Sequence, residues 1–351
     1  MMNFDAIHLI ALCFLLSVGI SWLTLLTQQY HGDFTADQLQ GPQKIHQGQV
    51  PRIGGVAILI SLSVISLMAS PDVAYLLRLM LISILPVFLS GIFEDISGKI
   101  SPLIRLLASY ATGLIFVLLT TVMLTRTGFG FADQMLSLAF ISIFLTALAI
   151  ASLSNAINVI DGLNGLSIGS SGFMALGIAV LGYIYGDYGI VKMALFFLAA
   201  IIGVGVFNFP FGHIFVGDGG AYLMGSFLAM LAILLPERNI EISPFASLLI
   251  IAYPFYELLR SMARRLLIGR GAMHPDNKHL HSVVFHHNHQ HLQFEKRKAN
   301  IHASMRMLLL PVLCVTWAVI FAESTWLLLV GGAAMIFYYE TQFRIFTSQD
   351  K

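Results

Sequence analysis

The residues best suited to chemistry lie in one short polar run between two apolar stretches that are each long enough to cross a bilayer. The run reads Asn155-Ala-Ile-Asn158-Val-Ile-Asp161-Gly162-Leu163-Asn164-Gly165. If it continues the preceding helix, Asn158, Asp161 and Asn164 recur every third residue and share one face. An ionisable group at the end of a membrane helix indicates a functional site. For a single acid, simple capping of a solvated helix end is the alternative.

Four further polar runs contain acids, histidines or glycines. Together the five runs contain Glu94, Asp95, Asp161, Asp218 and Asp276, which are five of the eighteen acids in the chain. The four further runs are Lys44 to Arg52-Ile-Gly-Gly55, Gly91-Ile-Phe-Glu94-Asp95, Phe215-Val-Gly-Asp218-Gly-Gly220 and His274-Pro-Asp276-Asn-Lys278-His279-Leu-His281.

Carboxylates of this kind can bind Mg²⁺, which takes a few carboxylate oxygens together with phosphates and waters. Asp95, Asp161 and Asp218 could supply these oxygens, and such a cluster would repel itself without a cation or protons. Asp218 could instead be a plain N-cap of the apolar helix that follows it. Glu94 and Asp95 point about 100° apart on a helix, so both can serve one site only if the helix end loosens.

Histidines are concentrated near the carboxyl end, with eight of the twelve between His274 and His302. The spacing His279-Leu-His281 places two rings on one side of an extended segment. Zinc binding is one alternative, but there is no cysteine nearby and no histidine pair at helical spacing with a glutamate base. We therefore expect His279 and His281, beside Lys278, to donate to a diphosphate.

The composition identifies the class of protein that must position these runs. Of the 351 residues, 57% are hydrophobic and only 11% are charged, and the mean hydropathy is +0.83. These values indicate an integral membrane protein. A net charge of +1 without a basic groove gives no sign of nucleic-acid binding. The two cysteines, Cys13 and Cys314, lie in apolar segments and predict no disulfide or metal site.

Apolar windows of about 18 to 22 residues recur along the whole chain and predict an all-α polytopic protein with about eleven transmembrane helices. We expect one integral-membrane domain over residues 1–351, with long cytoplasmic loops at about 27–52 and 261–302. The predicted spans are 6–26, 53–69, 73–93, 103–124, 135–154, 166–185, 190–208, 219–235, 244–260, 303–322 and 325–343.

The basic residues predict the orientation. With the N-terminus outside, 15 of the 19 Lys and Arg residues fall on or near the cytoplasmic side. Only Arg78, Arg126, Lys192 and Arg238 fall outside. This orientation places all five polar runs together at the cytoplasmic face.

Five motifs in this order resemble those of the polyprenyl-phosphate N-acetylhexosamine-1-phosphate transferases, which initiate bacterial surface polymers. The resemblance covers about residues 40–285 and rests on Pro51-Arg-Ile-Gly-Gly55, the acidic pair 94–95, the run 155–165, Val216-Gly-Asp-Gly-Gly220 and Pro275-Asp-Asn-Lys-His-Leu-His281. It implies a bacterial inner-membrane enzyme with a periplasmic N-terminus and a cytoplasmic active site. The implied reaction is attack by undecaprenyl phosphate on the β-phosphorus of a UDP-N-acetylhexosamine, which releases UMP and requires Mg²⁺, or Mn²⁺ in its place.

The resemblance also implies a role for each site residue. Asp218 would hold the metal, with Asp95 as a second ligand and the acid nearest the lipid phosphate, and Glu94 and Asp161 would be catalytic with them. The substrate-binding assignments are Asn158 beside Asp161 at the diphosphate, Gly162, Leu163 and Asn164 at the uracil edge, Phe215 stacked on the uracil, and Lys44, Lys278, His279 and His281 as further contacts.

The sequence departs from the family pattern at several of these positions. Glu94 and Asn164 stand where aspartate is common, and Asn277 precedes the basic residue Lys278. The run ends His279-Leu-His281-Ser rather than in three successive histidines, which favours an initiator of lipopolysaccharide or another surface polysaccharide over the peptidoglycan enzyme. The expected partners are membrane lipid and the two substrates, without nucleic acid, and a homodimer is left open.

Two other classes of membrane protein are alternatives. A transporter or flippase for an anionic metabolite would use the same acids and histidines as a proton relay, and would carry acids near the midplane of its spans. A phosphotransferase acting on CDP-alcohols would need a long acidic and glycine-containing signature within its helices. That signature is missing, and the acids lie at predicted helix ends.

Overall fold

The computed structural model describes residues 4–35, 50–267, 269 and 278–348, and within these ranges the chain forms helices and no strand. The sixteen helices are α1 (Phe4–Leu26), α2 (Gln28–Thr35), α3 (Gly54–Met68), α4 (Pro71–Ser97), α5 (Pro102–Thr120), α6 (Gly130–Leu136), α7 (Ala139–Ile160), α8 (Leu166–Ile184), α9 (Tyr188–Asn208), α10 (Gly217–Arg238), α11 (Pro244–Ile250), α12 (Ala252–Leu267), α13 (Leu280–Gln290), α14 (Lys296–Met307), α15 (Leu309–Ile320) and α16 (Thr325–Ser348).

Eight helical segments in the described ranges are long and apolar enough to cross a membrane. They confirm the prediction of an all-α polytopic membrane protein. They are α1, α4, α5, α7, α8, α9, α10 and the continuous pair α14–α15.

The count of eleven spans stays a prediction because three predicted segments differ from a simple span. Helix α3 is apolar but has only 15 residues. Helix α16 has 24 residues, which is long enough, but it is not apolar enough to count among the eight. The predicted span 244–260 is divided at Ile251 into α11 and α12. Pro254 explains the division, because proline has no N–H to donate to the carbonyl of Ile250.

Helix α10 is the axis of the bundle. Every residue from Gly219 to Pro236 is buried, and α10 packs against α3, α4, α7 and α8. A helix that is apolar on all sides belongs in the interior of a large membrane protein. Since α10 starts at the polar run containing Asp218, the most buried helix of the bundle positions this aspartate.

Glycines allow the first turn of α10 to lie unusually close to two neighbouring helices. A Cβ on Gly55 of α3 would lie 2.4 Å from the Cα of Gly220, and a Cβ on Gly91 of α4 would lie 2.5 Å from the Cα of Gly219. Small residues at such crossings let membrane helices approach backbone to backbone. These crossings hold the polar starts of α3 and α10 beside the end of α4.

Alternating helix directions bring the polar runs to one end of the bundle. The carboxyl ends of α4, α7 and α9 and the amino ends of α5, α8 and α10 meet there. Two of the basic residues at the opposite end have structural partners. Arg126 donates to three backbone carbonyls, those of residues 236, 239 and 242, and Arg238 pairs with Asp187 at 2.7 Å.

Candidate active site

Asp218 lies where four separate elements converge. Its Oδ1 accepts hydrogen bonds from Arg52 Nη2 at 3.2 Å and from Asn158 Nδ2 at 3.1 Å. Its Oδ2 accepts from Arg105 Nη1 at 2.6 Å. The segment before α3, the start of α5, the end of α7 and the start of α10 therefore meet at one carboxylate, which has a side-chain exposure of 14%.

Asp95, rather than Asp218, caps helix α10. Its two carboxylate oxygens accept from the backbone N–H groups of Asp218 at 3.0 Å and of Gly219 at 3.1 Å, and its side chain is fully buried. A carboxylate at a helix N-terminus satisfies unpaired N–H groups and the helix dipole. The alternative that Asp218 caps its own helix is therefore wrong. The Asp218 side chain is turned toward the cations instead.

Glu94 holds the turn that follows α4. Helix α4 continues to Ser97 without loosening, so the two adjacent acids point in different directions. The Glu94 carboxylate accepts from the backbone N–H of Ile100 at 2.7 Å. Asp95 thus joins the Asp218 cluster, whereas Glu94 supports the loop leading to Arg105.

The central run forms a helix end followed by a tight turn. Helix α7 ends at Ile160 and Asp161 is its C-cap, so Asn158 remains helical. The condition under which Asn158, Asp161 and Asn164 would share one helical face is therefore not met, because the helix does not continue beyond Ile160. Gly165 at φ +79° makes the reversal into α8, because left-handed backbone favours glycine.

Asp161 lies at the edge of the Asp218 cluster. Its Oδ1 accepts from the Ser167 hydroxyl, and it is close enough to Arg52 and Asp218 to interact with both electrostatically. Burial raises the pKa of the Asp161 carboxyl to about 7. A carboxyl with a pKa near neutrality is typical of a functional site.

The remaining predicted uracil-edge residues have different surroundings. Gly162 is exposed, whereas Leu163 is 3% exposed within the hydrophobic core and Asn164 is 6% exposed. The Asn164 backbone N–H donates to Asn300 Oδ1 at 3.2 Å, and its carbonyl accepts from Ser304 at 2.8 Å. Helix α14 therefore fixes this turn through backbone contacts.

Phe215 belongs to a short extended pairing that joins two of the motifs. Its N–H donates to the carbonyl of Pro51 at 2.9 Å, and its carbonyl accepts from the N–H of Gly54 at 3.0 Å. Gly55 donates to the carbonyl of Val216 at 3.0 Å in the same way. This pairing carries Arg52 to Asp218 and leaves the Phe215 side chain half-buried.

His279 and His281 lie on one side of their segment, as predicted, although the segment is the start of helix α13. Their rings stack with centroids 5.5 Å apart and planes at 4°. His281 is 3% exposed, and burial lowers its pKa to about 4. A Cβ on Gly162 would lie 2.5 Å from His281 Nε2. The histidine pair therefore borders the Asp161 turn.

The contacts predicted for Lys278 and Lys44 stay predictions. Lys278 is exposed at the start of its segment, where its carbonyl accepts from Arg264 at 2.7 Å. Lys44, like Asp276 of the same set of motifs, lies outside the described residues.

Sequence reasoning did not assign Arg52, Arg105 and Glu257 to the site. Arg52 stands within a recognised motif, and Arg105 is a charged residue at the start of a predicted span. Glu257 is an acid inside the predicted span 244–260. Charged residues in apolar stretches are themselves a signal of function, but their partners become visible only when distant helices are packed.

Comparison with known proteins shows which family and which relatives the chain is similar to. The family model "Glycosyl transferase family 4" matches residues 77–236. The matched region is slightly less than half of the chain. The matched region of the family 4 model runs from α4 to α10 and includes the acidic pair, the central run and Asp218.

Similarity to curated relatives extends beyond that region. A "Probable undecaprenyl-phosphate N-acetylglucosaminyl 1-phosphate transferase" of Bacillus subtilis is 27% identical over 243 residues, which are 68% of this chain and 66% of that relative. An "Undecaprenyl-phosphate alpha-N-acetylglucosaminyl 1-phosphate transferase" of Thermotoga maritima is 29% identical over 69% of this chain and 70% of its own length. The protein of that name in Escherichia coli K12 is 25% identical over 85% and 80%.

The family model and the names of these relatives confirm the resemblance inferred from the five motifs. The chain spans slightly less than two thirds of the Bacillus relative and about 80% of the Escherichia relative. The family model stops before the histidine motif at 279–281, so the assignment of these histidines to the site rests on the geometry described above.

Proposed function

We propose that the chain transfers an N-acetylhexosamine-1-phosphate from a UDP-sugar to undecaprenyl phosphate. The products are undecaprenyl-diphosphate-sugar and UMP. The names of the curated relatives support the acceptor lipid and the transferred group. In this proposal the chain initiates a bacterial surface polysaccharide.

The observation that carries the proposal is the meeting of acids and cations around Asp218. Arg52 and Arg105 donate to the Asp218 carboxylate, and Asp95 and Asp161 lie beside it. Cations suit the oxygens of a diphosphate, and acids suit a divalent metal that binds those oxygens. The three acids lie at helix ends rather than at mid-span, so the transporter alternative is not favoured.

The donor set around Asp218 fits Mg²⁺. Among the described residues, no three His, Cys, Asp or Glu side chains form a metal-binding group. Mg²⁺ does not need such a cage, because it binds through one or two carboxylates and takes phosphate oxygens and waters for the rest. Asp218 is the best placed ligand, because its donors are side chains that can turn away, whereas both oxygens of Asp95 accept from backbone N–H groups. Bound Mg²⁺ would neutralise charge on the diphosphate oxygens.

In our mechanism the lipid phosphate attacks the β-phosphorus directly. A phosphate monoester has a second pKa near 6, so it is mostly dianionic at neutral pH and needs no general base. The contribution of the protein is then positioning and charge neutralisation. Arg52 and Arg105 would turn from Asp218 toward phosphate oxygens, and Asn158 would orient the Asp218 carboxylate.

We assign the Asp218 end of the bundle to the cytoplasm and the N-terminus to the periplasm of the bacterial inner membrane. The distribution of 15 inner and 4 outer basic residues supports this orientation. Impermeant maleimide applied to whole cells should label an Ile240→Cys variant but not a Leu267→Cys variant. Both positions are strongly exposed, at opposite ends of the bundle, and the native cysteines are buried. The reverse labelling pattern would contradict the orientation.

The direct test of the activity uses the purified full-length protein with undecaprenyl phosphate, Mg²⁺ and a panel of UDP-sugars. We expect UMP release with a UDP-N-acetylhexosamine, loss of release with EDTA, and recovery with added Mg²⁺ or Mn²⁺. A protein that releases UMP from no UDP-sugar in the panel would refute the proposed function.

A further inference from the structure

A buried carboxylate lies directly behind His279. Glu257 of α12 is 1% exposed, and its Oε1 accepts from His279 Nδ1 at 3.0 Å and from the N–H of Leu280 at 3.4 Å. Its Oε2 accepts from the hydroxyl of Tyr339, in α16, at 2.6 Å. Three donors from two different elements therefore converge on one acid.

A buried acid is a costly way to join helices. Removing a carboxylate from water is unfavourable unless every lone pair finds a donor, and well-packed apolar side chains often do as well or better. Tyr339 is fully buried as well, so this network sits in the interior between α12, α13 and α16. The network is therefore better explained by the orientation that it gives to His279 than by a contribution to stability.

The network determines which ring nitrogen of His279 is available. A carboxylate only accepts hydrogen bonds, so His279 must donate through Nδ1–H, and Nε2 is the nitrogen left for another partner. Stacking on His281 fixes the plane of the ring, and His281 abuts Gly162 beside Asp161. His279 keeps a side-chain exposure of 12%.

We propose that Glu257 is a positioning residue that holds His279 by Nδ1–H, so that Nε2 meets a phosphate oxygen of the nucleotide sugar, and that Tyr339 holds Glu257. This inference rests on the proposed function, in which His279 contacts phosphate. Helix α16, which follows all the family motifs in the chain, thereby contributes to the geometry of the site.

Glu257→Gln tests the role of Glu257 with little change in shape. The amide has a single acceptor oxygen for the donors of His279 and Tyr339, so one of them is lost. We expect kcat/KM to fall about tenfold to a hundredfold, as when the partner that orients a functional histidine is removed. Tyr339→Phe should cause a smaller loss.

Tyr256→Phe is the matched control. It removes a hydroxyl that donates to Glu340 at 2.9 Å in the same α12–α16 interface, and it keeps the ring that packs edge-on against Tyr339. We expect unchanged kcat/KM. A loss as large as that of Glu257→Gln would show that the interface as a whole, and not the histidine contact, controls activity, which would overturn the proposal.

A double-mutant cycle separates positioning from a merely structural role. If Glu257 acts through His279, then Glu257→Gln should cost little in a His279→Gln background. An equal fold loss in both backgrounds would overturn the proposal.

The tautomer of His279 can be read without substrate, by ¹⁵N NMR of histidine-labelled full-length protein in detergent, with the signal assigned by its loss in His279→Gln. We expect a protonated Nδ1 in the wild type, and an unprotonated Nδ1 would refute the inference even if Glu257→Gln fails to fold. Failure of the proposed function would give a different result from failure of the role proposed for Glu257. In that case no UDP-sugar yields UMP, while the Nδ1–H contact is still observed.

Discussion

Gly91→Ala should disable the enzyme without altering any residue of the site. The added Cβ would lie 2.5 Å from the Cα and N of Gly219, and 2.8 Å from the carbonyl carbon of Asp218. Carbon atoms pack at about 3.5 Å or more, so the first turn of α10 must retreat from α4 by about 1 Å. The obstacle is backbone on both sides, and no side chain can turn away to relieve it.

The expected magnitude follows from what α10 carries. A shift of about 1 Å in a catalytic group can cost about a hundredfold in rate, which corresponds to about 2.7 kcal/mol in the activation barrier. Overpacking of this kind also lowers the free energy of unfolding by about 1–3 kcal/mol. We therefore expect kcat/KM for UMP release to fall about a hundredfold, with a measurable drop in melting temperature.

Gly332→Ala, in α16, is the control. Nothing lies within 4 Å of the Cβ that this change adds, so activity should be unchanged. If Gly91→Ala folds and retains wild-type turnover, the close approach of α4 and α10 does not determine the position of Asp218, and the reasoning is refuted. Equal losses in both variants would refute it too.

Three further changes test other parts of the site. Arg105→Gln should lower kcat/KM about tenfold to a hundredfold by removing a charged hydrogen bond at Asp218. Arg238→Gln is the control, because it breaks a similarly short ion pair, with Asp187, at the opposite end of the bundle, and it should leave kcat/KM unchanged. In Asp95→Asn, an amide N–H₂ replaces one of the two oxygens that accept from the backbone N–H groups of Asp218 and Gly219. Because two donors then face each other, both the activity and the melting temperature should fall. An unchanged melting temperature would contradict the cap, and a trapped phosphoprotein would contradict direct attack. Burial lowers the pKa of His281 from 6.5 to about 4 in the folded protein. Between these two pH values the unfolded chain binds a proton that the folded protein does not, so the free energy of unfolding should fall as the pH falls through this range. Thermal melts should show a smaller fall for His281→Gln, and identical profiles would exclude this histidine.

The architecture was largely predictable from the sequence. Apolar windows located the membrane helices because the bilayer requires a minimum length of apolar chain. The sequence also contains the signal for the break between α11 and α12. Pro254 stands four residues after Ile250 and has no N–H to donate to its carbonyl. The grouping of the polar runs followed from the alternation of helix directions.

The partners within the site were not predictable. Asp95 caps a helix that begins 122 positions later in the chain, and this contact depends on the glycine crossings of α3 and α4 with α10. The end of α7 at Ile160 was also missed. The spacing of Asn158, Asp161 and Asn164 suits a continued helix equally well, and only packing of the turn against α14 decides between the two. Glu257 carried a signal as an acid in an apolar stretch, but nothing nearby in sequence pointed to His279.

The central claim is that Asp218 holds the metal-bound diphosphate of a UDP-sugar at the meeting point of the polar runs. The most direct measurement is UMP release by purified Asp218→Asn beside the wild type, at saturating Mg²⁺, with undecaprenyl phosphate and the UDP-sugar that the wild type uses. We predict Mg²⁺-dependent turnover by the wild type and none by the folded variant. Near-normal turnover by Asp218→Asn would contradict the account.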